Sequence, residues 1–158
     1  MKRRMMVWLL ITACLALSLP AGAASFSTAR AGIKISGVNY RIGQTSTKWK
    51  SKLGSYSRKL NETNGTLISY TYTFKKKGVR VTTLYSSKLR KEKIVSILIV
   101  GKSVTTAGGL KVGQGYSKMT GMYGKKYTKK GAVYTYKAGS RRLQVKASGG
   151  KIAAIRIT

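Results

Sequence analysis

The chain has 158 residues, with 32 Lys+Arg against 2 Asp+Glu and no His, for a formal net charge of +30. Glu62 and Glu92 are its only side-chain carboxylates and Cys14 its only cysteine. That inventory excludes His/Cys metal centres, acid-rich calcium loops, Ser-His-Asp and Cys-His sets and disulfide frameworks, and it leaves little for a paired-carboxylate glycosidase. A Ser–Lys dyad is compatible with the composition, but no motif marks one. The expectation is a protein that is not an enzyme and uses no cofactor and no metal.

From the N-terminus, Met1-Lys2-Arg3-Arg4 is a basic segment, and Met5 to Leu19 is apolar apart from Thr12 and Ser18. Pro20 breaks that run, and Ala21-Gly22-Ala23 places small residues before Ala24. This is the layout of a cleaved signal peptide over residues 1–23. The alternative is a retained anchor, for which the run falls short of the ~17–25 residues that span a bilayer. Cys14 reads as a small apolar residue of the leader and not as a lipidated one. The expected location is secreted, extracellular or associated with the cell envelope. Loss of Lys2, Arg3 and Arg4 lowers the charge from +30 to +27.

Residues 24–37 form a lead-in, with Gly32 to Gly37 as a short strand or extended arm that Val38 to Ile42 could extend. Residues 38–102 and 103–158 then form two repeats. Ile42-Gly43-Gln44, Trp49 and Leu53-Gly54 return as Val112-Gly113-Gln114, Met119 and Tyr123-Gly124, at an offset of 70. Tyr70-Thr71-Tyr72 returns as Tyr134-Thr135-Tyr136 at an offset of 64, and Lys93-Ile94 as Lys151-Ile152 at 58. Two stepwise losses are what shortened loops between conserved-length elements produce.

In each repeat the spacing predicts a short helix. Trp49 and Leu53 in the first, and Met119 and Tyr123 in the second, lie at i, i+4, with Thr45 or Ser46 and then Ser117 as caps and Gly54 and Gly124 as stops. Connections follow at Ser55 to Gly65 and Lys125 to Gly131. Three strands come next: Thr66 to Lys75, Val79 to Tyr85 and Ile94 to Val100, then Ala132 to Lys137, Arg141 to Ala147 and Lys151 to Thr158. Val95/Ile97/Ile99 and Ala153/Ile155/Ile157 are assigned to the core by their alternation. Ser103 to Gly109 is a linker. The predicted fold is α+β: two tandem αβββ repeats, each a short helix on a three-stranded antiparallel meander, the two packing together or pairing edge to edge.

This order of apolar-Gly-Gln, short helix, apolar-Gly and tyrosine-rich meander, used twice, resembles the beta-lactamase-inhibitor-like domains and the SmpA/OmlA (BamE) lipoprotein domains. The resemblance is carried by Ile42-Gly43-Gln44 to Leu53-Gly54, by Val112-Gly113-Gln114 to Tyr123-Gly124 and by the strands after them. It implies a binding or scaffolding role in which a sheet or loop surface meets a partner. The disulfides and acidic contact residues of the inhibitors have no counterpart here.

Basic and aromatic residues interleave at three places. Tyr70 and Tyr72 run into Lys75, Lys76 and Lys77, while Tyr134 and Tyr136 are followed by Arg141 and Arg142. Lys125, Lys126, Lys129 and Lys130 form the third cluster. Tyrosines on a sheet face could stack sugars or bases while the cations hold phosphates or sulfates. Alternatively, they are strand formers packed under the helix. The expected partner is a polyanionic polymer or an anionic membrane surface, without sequence-specific nucleic-acid reading. A protein partner, with the charge serving only solubility or surface retention, is the alternative.

Overall fold

A computed structural model describes residues 25–158; the expected signal peptide and Cys14 lie outside the described residues. After a 3-10 turn at Thr28–Arg30 come β1 (Gly32–Ile35) and β2 (Val38–Arg41), then α1 (Lys48–Leu53). Four strands follow: β3 (Ser57–Asn64), β4 (Leu67–Phe74), β5 (Val79–Ser86) and β6 (Lys91–Ile99). The plan recurs with β7 (Thr105–Thr106), α2 (Tyr116–Tyr123), β8 (Thr128–Lys130), β9 (Val133–Ala138), β10 (Arg141–Ser148) and β11 (Lys151–Ile157).

The fold is mostly β, 51% strand against 15% helix, in two sheets. This corrects the expectation of an α+β protein built from two αβββ repeats. Each helix precedes four strands and not three, because the stretches read as connections contain β3 and β8. The lead-in, the start of the first repeat and the linker also build a sheet of their own, β2-β1-β7. Val38 does not extend β1. Ser36 and Gly37, at φ 48° and 82°, turn the chain back on itself, so that Ile35 pairs with Val38. Positive φ at both positions of a two-residue loop matches the twist of a hairpin.

The larger sheet has the order β3-β4-β5-β6-β11-β10-β9-β8. Its two meanders meet edge to edge, with Ile99, Leu98 and Ile97 of β6 opposite Ile155, Arg156 and Ile157 of β11. Opposed residues share a face, so one face carries Tyr72, Phe74, Val79, Val81, Ile97, Ile99, Ile155, Ile157, Leu143 and Val145, all buried. The helices lie on this inner face. A helix of six or eight residues is marginal alone, and these are held by burying Trp49 with Leu53 and Met119 with Tyr123. Trp49 meets Tyr72 and Phe74 edge-on at 5.3 and 5.9 Å. Ser117 lies inside α2 and the residues at the two N-caps, Thr47 and Gly115, make no side-chain cap; of the expected caps only Ser46 reaches a helical N–H, accepting from Lys48 at 3.4 Å.

The core assignment of the last strands shifts by one residue at their starts. Bulges opposite Thr82/Thr83 and Lys146/Ala147 bring Ile94 and Ile152 into the core and turn Val95 and Ala153 outward. An extra residue in one strand reverses the alternation beyond it.

The repeated Gly-Gln stretch forms the same clamp in each half. The Gly43 N–H donates to the Ile94 carbonyl at 2.7 Å, and the Ile94 N–H to the Gln44 carbonyl at 3.1 Å. Gly113, Ile152 and Gln114 repeat this at 2.7 and 2.8 Å. The Gln44 and Gln114 side chains accept from the Arg41 and Lys111 N–H groups at 2.9 and 2.8 Å. Gly43 and Gly113 sit at φ 87° and 88°, where a Cβ is strained. Gly43→Ala and Gly113→Ala are each expected to cost about 1–2 kcal/mol, measured as lower urea midpoints with unchanged far-UV dichroism.

Candidate functional site

The expected aromatic and basic residues do not form one site. Tyr72 and Tyr136 are each 2% exposed, in the core beneath the helices. The Tyr136 hydroxyl donates to the Gly124 carbonyl at 2.9 Å, and burial pushes it up to about 12. Tyr70 and Tyr134 are half-buried on the same inner face, beneath Arg58 and Lys129 at 5.0 and 5.3 Å. Lys75–Lys77 is an exposed 3-10 turn between β4 and β5, and Lys125 and Lys126 are exposed between α2 and β8. Lys129 and Lys130 project to opposite faces of β8. Arg141 lies on the inner face, where a Cβ on Gly43 would come within 2.9 Å of its Nη2. Arg142 is exposed on the outer face. Because β5 and β11 both run antiparallel to β6, the Lys75–Lys77 turn and the Arg141/Arg142 turn lie on opposite sides of the row that joins Thr73, Arg80, Leu98, Arg156 and Gln144.

What the fold does assemble is the outer face of the eight-stranded sheet, on which no helix packs among the described residues. Its central row runs Ser57, Thr73, Arg80, Leu98, Arg156, Gln144, Thr135 and Thr128. On one side Lys59, Thr71, Thr82 and Ser96 form the next row, with Leu84 and Lys93 beyond it. On the far half, Ala154, Lys146, Val133 and Lys130 form another row, and Arg142 stands opposite Lys137. With strands ~4.8 Å apart, Arg80 and Arg156 stand about 10 Å apart.

Opposed like charges are destabilising, so Arg142 against Lys137 leaves unfavourable repulsion that an anion would relieve. Glu62 at the β3 margin is the only acid on this face. Near the centre, Leu98, Val133, Gln144, Lys146, Ala154 and Arg156 line a shallow basin of about 320 Å³, opened by the small Ala154. Serine and threonine hydroxyls surround the cations, and Asn61 Nδ2 donates to Ser69 and Thr71 at 3.1 and 2.9 Å. The chemistry on offer is ion pairing plus hydroxyl and amide hydrogen bonding over an extended flat surface. Sequence reading named Lys130 and Arg142 but missed the face they belong to, because its cations are scattered over seven strands. The signal was present as single cations flanked by apolar residues, as in Val79-Arg80-Val81 and Ile155-Arg156-Ile157.

A second polar cluster lies on the inner side of the first half. Lys50 Nζ contacts Glu92 Oε2 at 2.7 Å and donates to the Tyr72 hydroxyl at 3.0 Å, and Thr83 donates to Glu92 Oε1 at 2.6 Å. This is the one ion pair among the described residues. Burial acts to raise the Glu92 pKa, but the hydrogen bonds from Lys50 and Thr83 outweigh it and hold the carboxyl below its ordinary range. The Lys50 ammonium is raised: burial opposes its charge, and Glu92 overcomes that opposition. With a cation, a carboxylate and two hydroxyls satisfying one another, the cluster is structural. Among the described residues no group of three or more His, Cys, Asp or Glu could hold a metal ion.

A family described as "Domain of unknown function (DUF7738)" matches residues 25–137, and the chain belongs to that family. No curated protein matches it, and no solved structure does.

Glu92→Gln is expected to cost about 1–2 kcal/mol at neutral pH, since Lys50 and Glu92 side chains are only 20% and 14% exposed. A depressed carboxylate contributes stability that is complete above its unfolded pKa and is lost as pH falls through the folded one. Thermal melts from pH 6 down to pH 2 should therefore show the native chain approaching the Glu92→Gln variant, whose own acid dependence is shallower.

Proposed function

We propose that this is an exported, non-enzymatic binding protein that engages polyanionic polymers of the cell surface or surroundings, and that the outer sheet face is where it holds them. The observation that carries the reading is the segregation of the eight-stranded sheet. One face is closed by helices, and the other is an open array of cations and hydroxyls with one acid at its margin. A folded chain of this charge repels itself, and an extended polyanion lowers that repulsion while pairing with several cations at once. The N-terminal layout supports export. The likeness to domains that present a sheet surface to a partner runs in the same direction.

The test compares two triple variants of the purified protein, Arg80→Ala/Lys146→Ala/Arg156→Ala and Lys75→Ala/Lys76→Ala/Lys77→Ala. Binding is measured to teichoic-type wall polymer, heparin and anionic vesicles over a range of salt. Each anionic group engaged releases about 0.7–0.9 counterions, so the outer-face triple should flatten the salt slope by about 2 and weaken binding far more than the turn triple. Equal losses in both variants would reduce the charge to unspecific attraction. Binding unaffected by either, with a saturable protein partner instead, would overturn the proposal in favour of a protein-binding module.

A further inference from the structure

The two halves differ most at one place on the inner side, away from the outer face. In the first half Thr83 and Glu92 fill the space beside α1, anchored by Lys50. The repeat offsets place Ala147, Gly150 and Thr120 at these positions in the second half. What the ion pair fills in one half is left open in the other. The opening is a recess of about 490 Å³ whose lining includes Ala147 and the exposed Gly131, Ala132, Gly149 and Gly150. That volume falls in the ~300–1,000 Å³ range of small-molecule sites.

Its walls are aromatic. Tyr116 and Tyr134 face it with ring centroids 4.9 Å apart and planes tilted by 46°, so they form a bent wall. Tyr127 braces that wall from behind: its ring meets Tyr134 edge-on at 5.2 Å, and its hydroxyl lies 2.6 Å from the Tyr116 hydroxyl. Lys129 is exposed at the mouth, its ammonium 5.3 Å from the Tyr134 ring centre and without an ion pair among the described residues. In the first half Ser46 stands at the position of Tyr116 and, by strand register, Leu60 at that of Lys129. The second half thus has small residues where the first has its ion pair, Tyr116 as an added aromatic and Lys129 in place of Leu60, while a cation over the strand tyrosine is common to both, Arg58 on Tyr70 and Lys129 on Tyr134.

We infer that this recess binds the ring of an anionic sugar. Tyrosine faces accept the C–H face of a pyranose, the tyrosine hydroxyls can exchange hydrogen bonds with its hydroxyls, and Lys129 reaches a carboxylate or phosphate on the ring. Tilted rings suit a puckered saccharide better than a flat base, which calls for one uninterrupted stacking surface. The inference stands apart from the outer-face reading, because the two sites lie on opposite sides of the sheet.

The test is an NMR titration of the protein with methyl glucuronide, glucose 6-phosphate, methyl glucoside and inorganic phosphate, following tyrosine ring resonances. At least one of the two anionic sugars should bind with shifts at Tyr116 and Tyr134, and about tenfold more tightly than the neutral glucoside. Which one binds assigns the anion as carboxylate or phosphate. Lys129→Gln, at an exposed position, should remove that preference. Tyr134→Ala should abolish binding, and Ala132→Trp at the exposed rim should block it should Tyr134→Ala fail to fold. Arg80→Ala/Arg156→Ala should leave the titration unchanged while weakening polymer binding. Inorganic phosphate binding as well as the sugar phosphate, or no ring shifts with any probe, would overturn the inference.

Discussion

The seam between β6 and β11 is the constraint on which the rest of the molecule depends. Only three residue pairs span it, yet it turns two four-stranded meanders into one sheet. Neither meander with its single short helix can close a core. Joined, they align Ile97 and Ile99 with Ile155 and Ile157 in one apolar band, and that band is buried without a disulfide. The three-stranded sheet completes the cover: Ile33 and Tyr40 join the same core, and Phe26 meets Tyr123 at 6.1 Å.

The seam also creates the outer face. A single meander would present a few scattered cations, whereas the joined sheet sets Arg80 and Arg156 in one row across the boundary between the halves. The charge of the chain is therefore not spread evenly around its structural role. Inside, one lysine and one glutamate neutralise each other beside Trp49 and Tyr72. Outside, cation faces cation, with hydroxyls between them. Such an arrangement is poor for the isolated protein and favourable for one covered by an anionic chain.

Internal repetition allows each half to serve as a control for the other. Both keep the Gly-Gln clamp, the buried i, i+4 helix pair and the bulge in the last strand, so these belong to the fold. The halves part at Lys50, Thr83 and Glu92 against Thr120, Ala147 and Gly150. There the first is sealed by charge and the second is open and lined by tyrosine.

Much of this was legible in the sequence where the pattern is local. The repeat, the two helices and six of the strands follow from glycine stops and from alternation over a few residues. Ser57–Asn64 was not legible because an edge strand exposed on both faces has no apolar period, and its single Leu60 gives no alternation to read. Ile94 and Ile152 were displaced by bulges that depend on the neighbouring strand. Tyr72 and Tyr136 could not be assigned to core or surface, since a strand alternates identically whichever face a helix covers. By itself the sequence determined that the chain is basic, repeated and poor in catalytic groups, because those are properties of composition and spacing. Only the tertiary structure decided which sheet face is covered, and so which lysines and arginines form one surface, because facing is set by long-range strand pairing and not by any residue's neighbours along the chain.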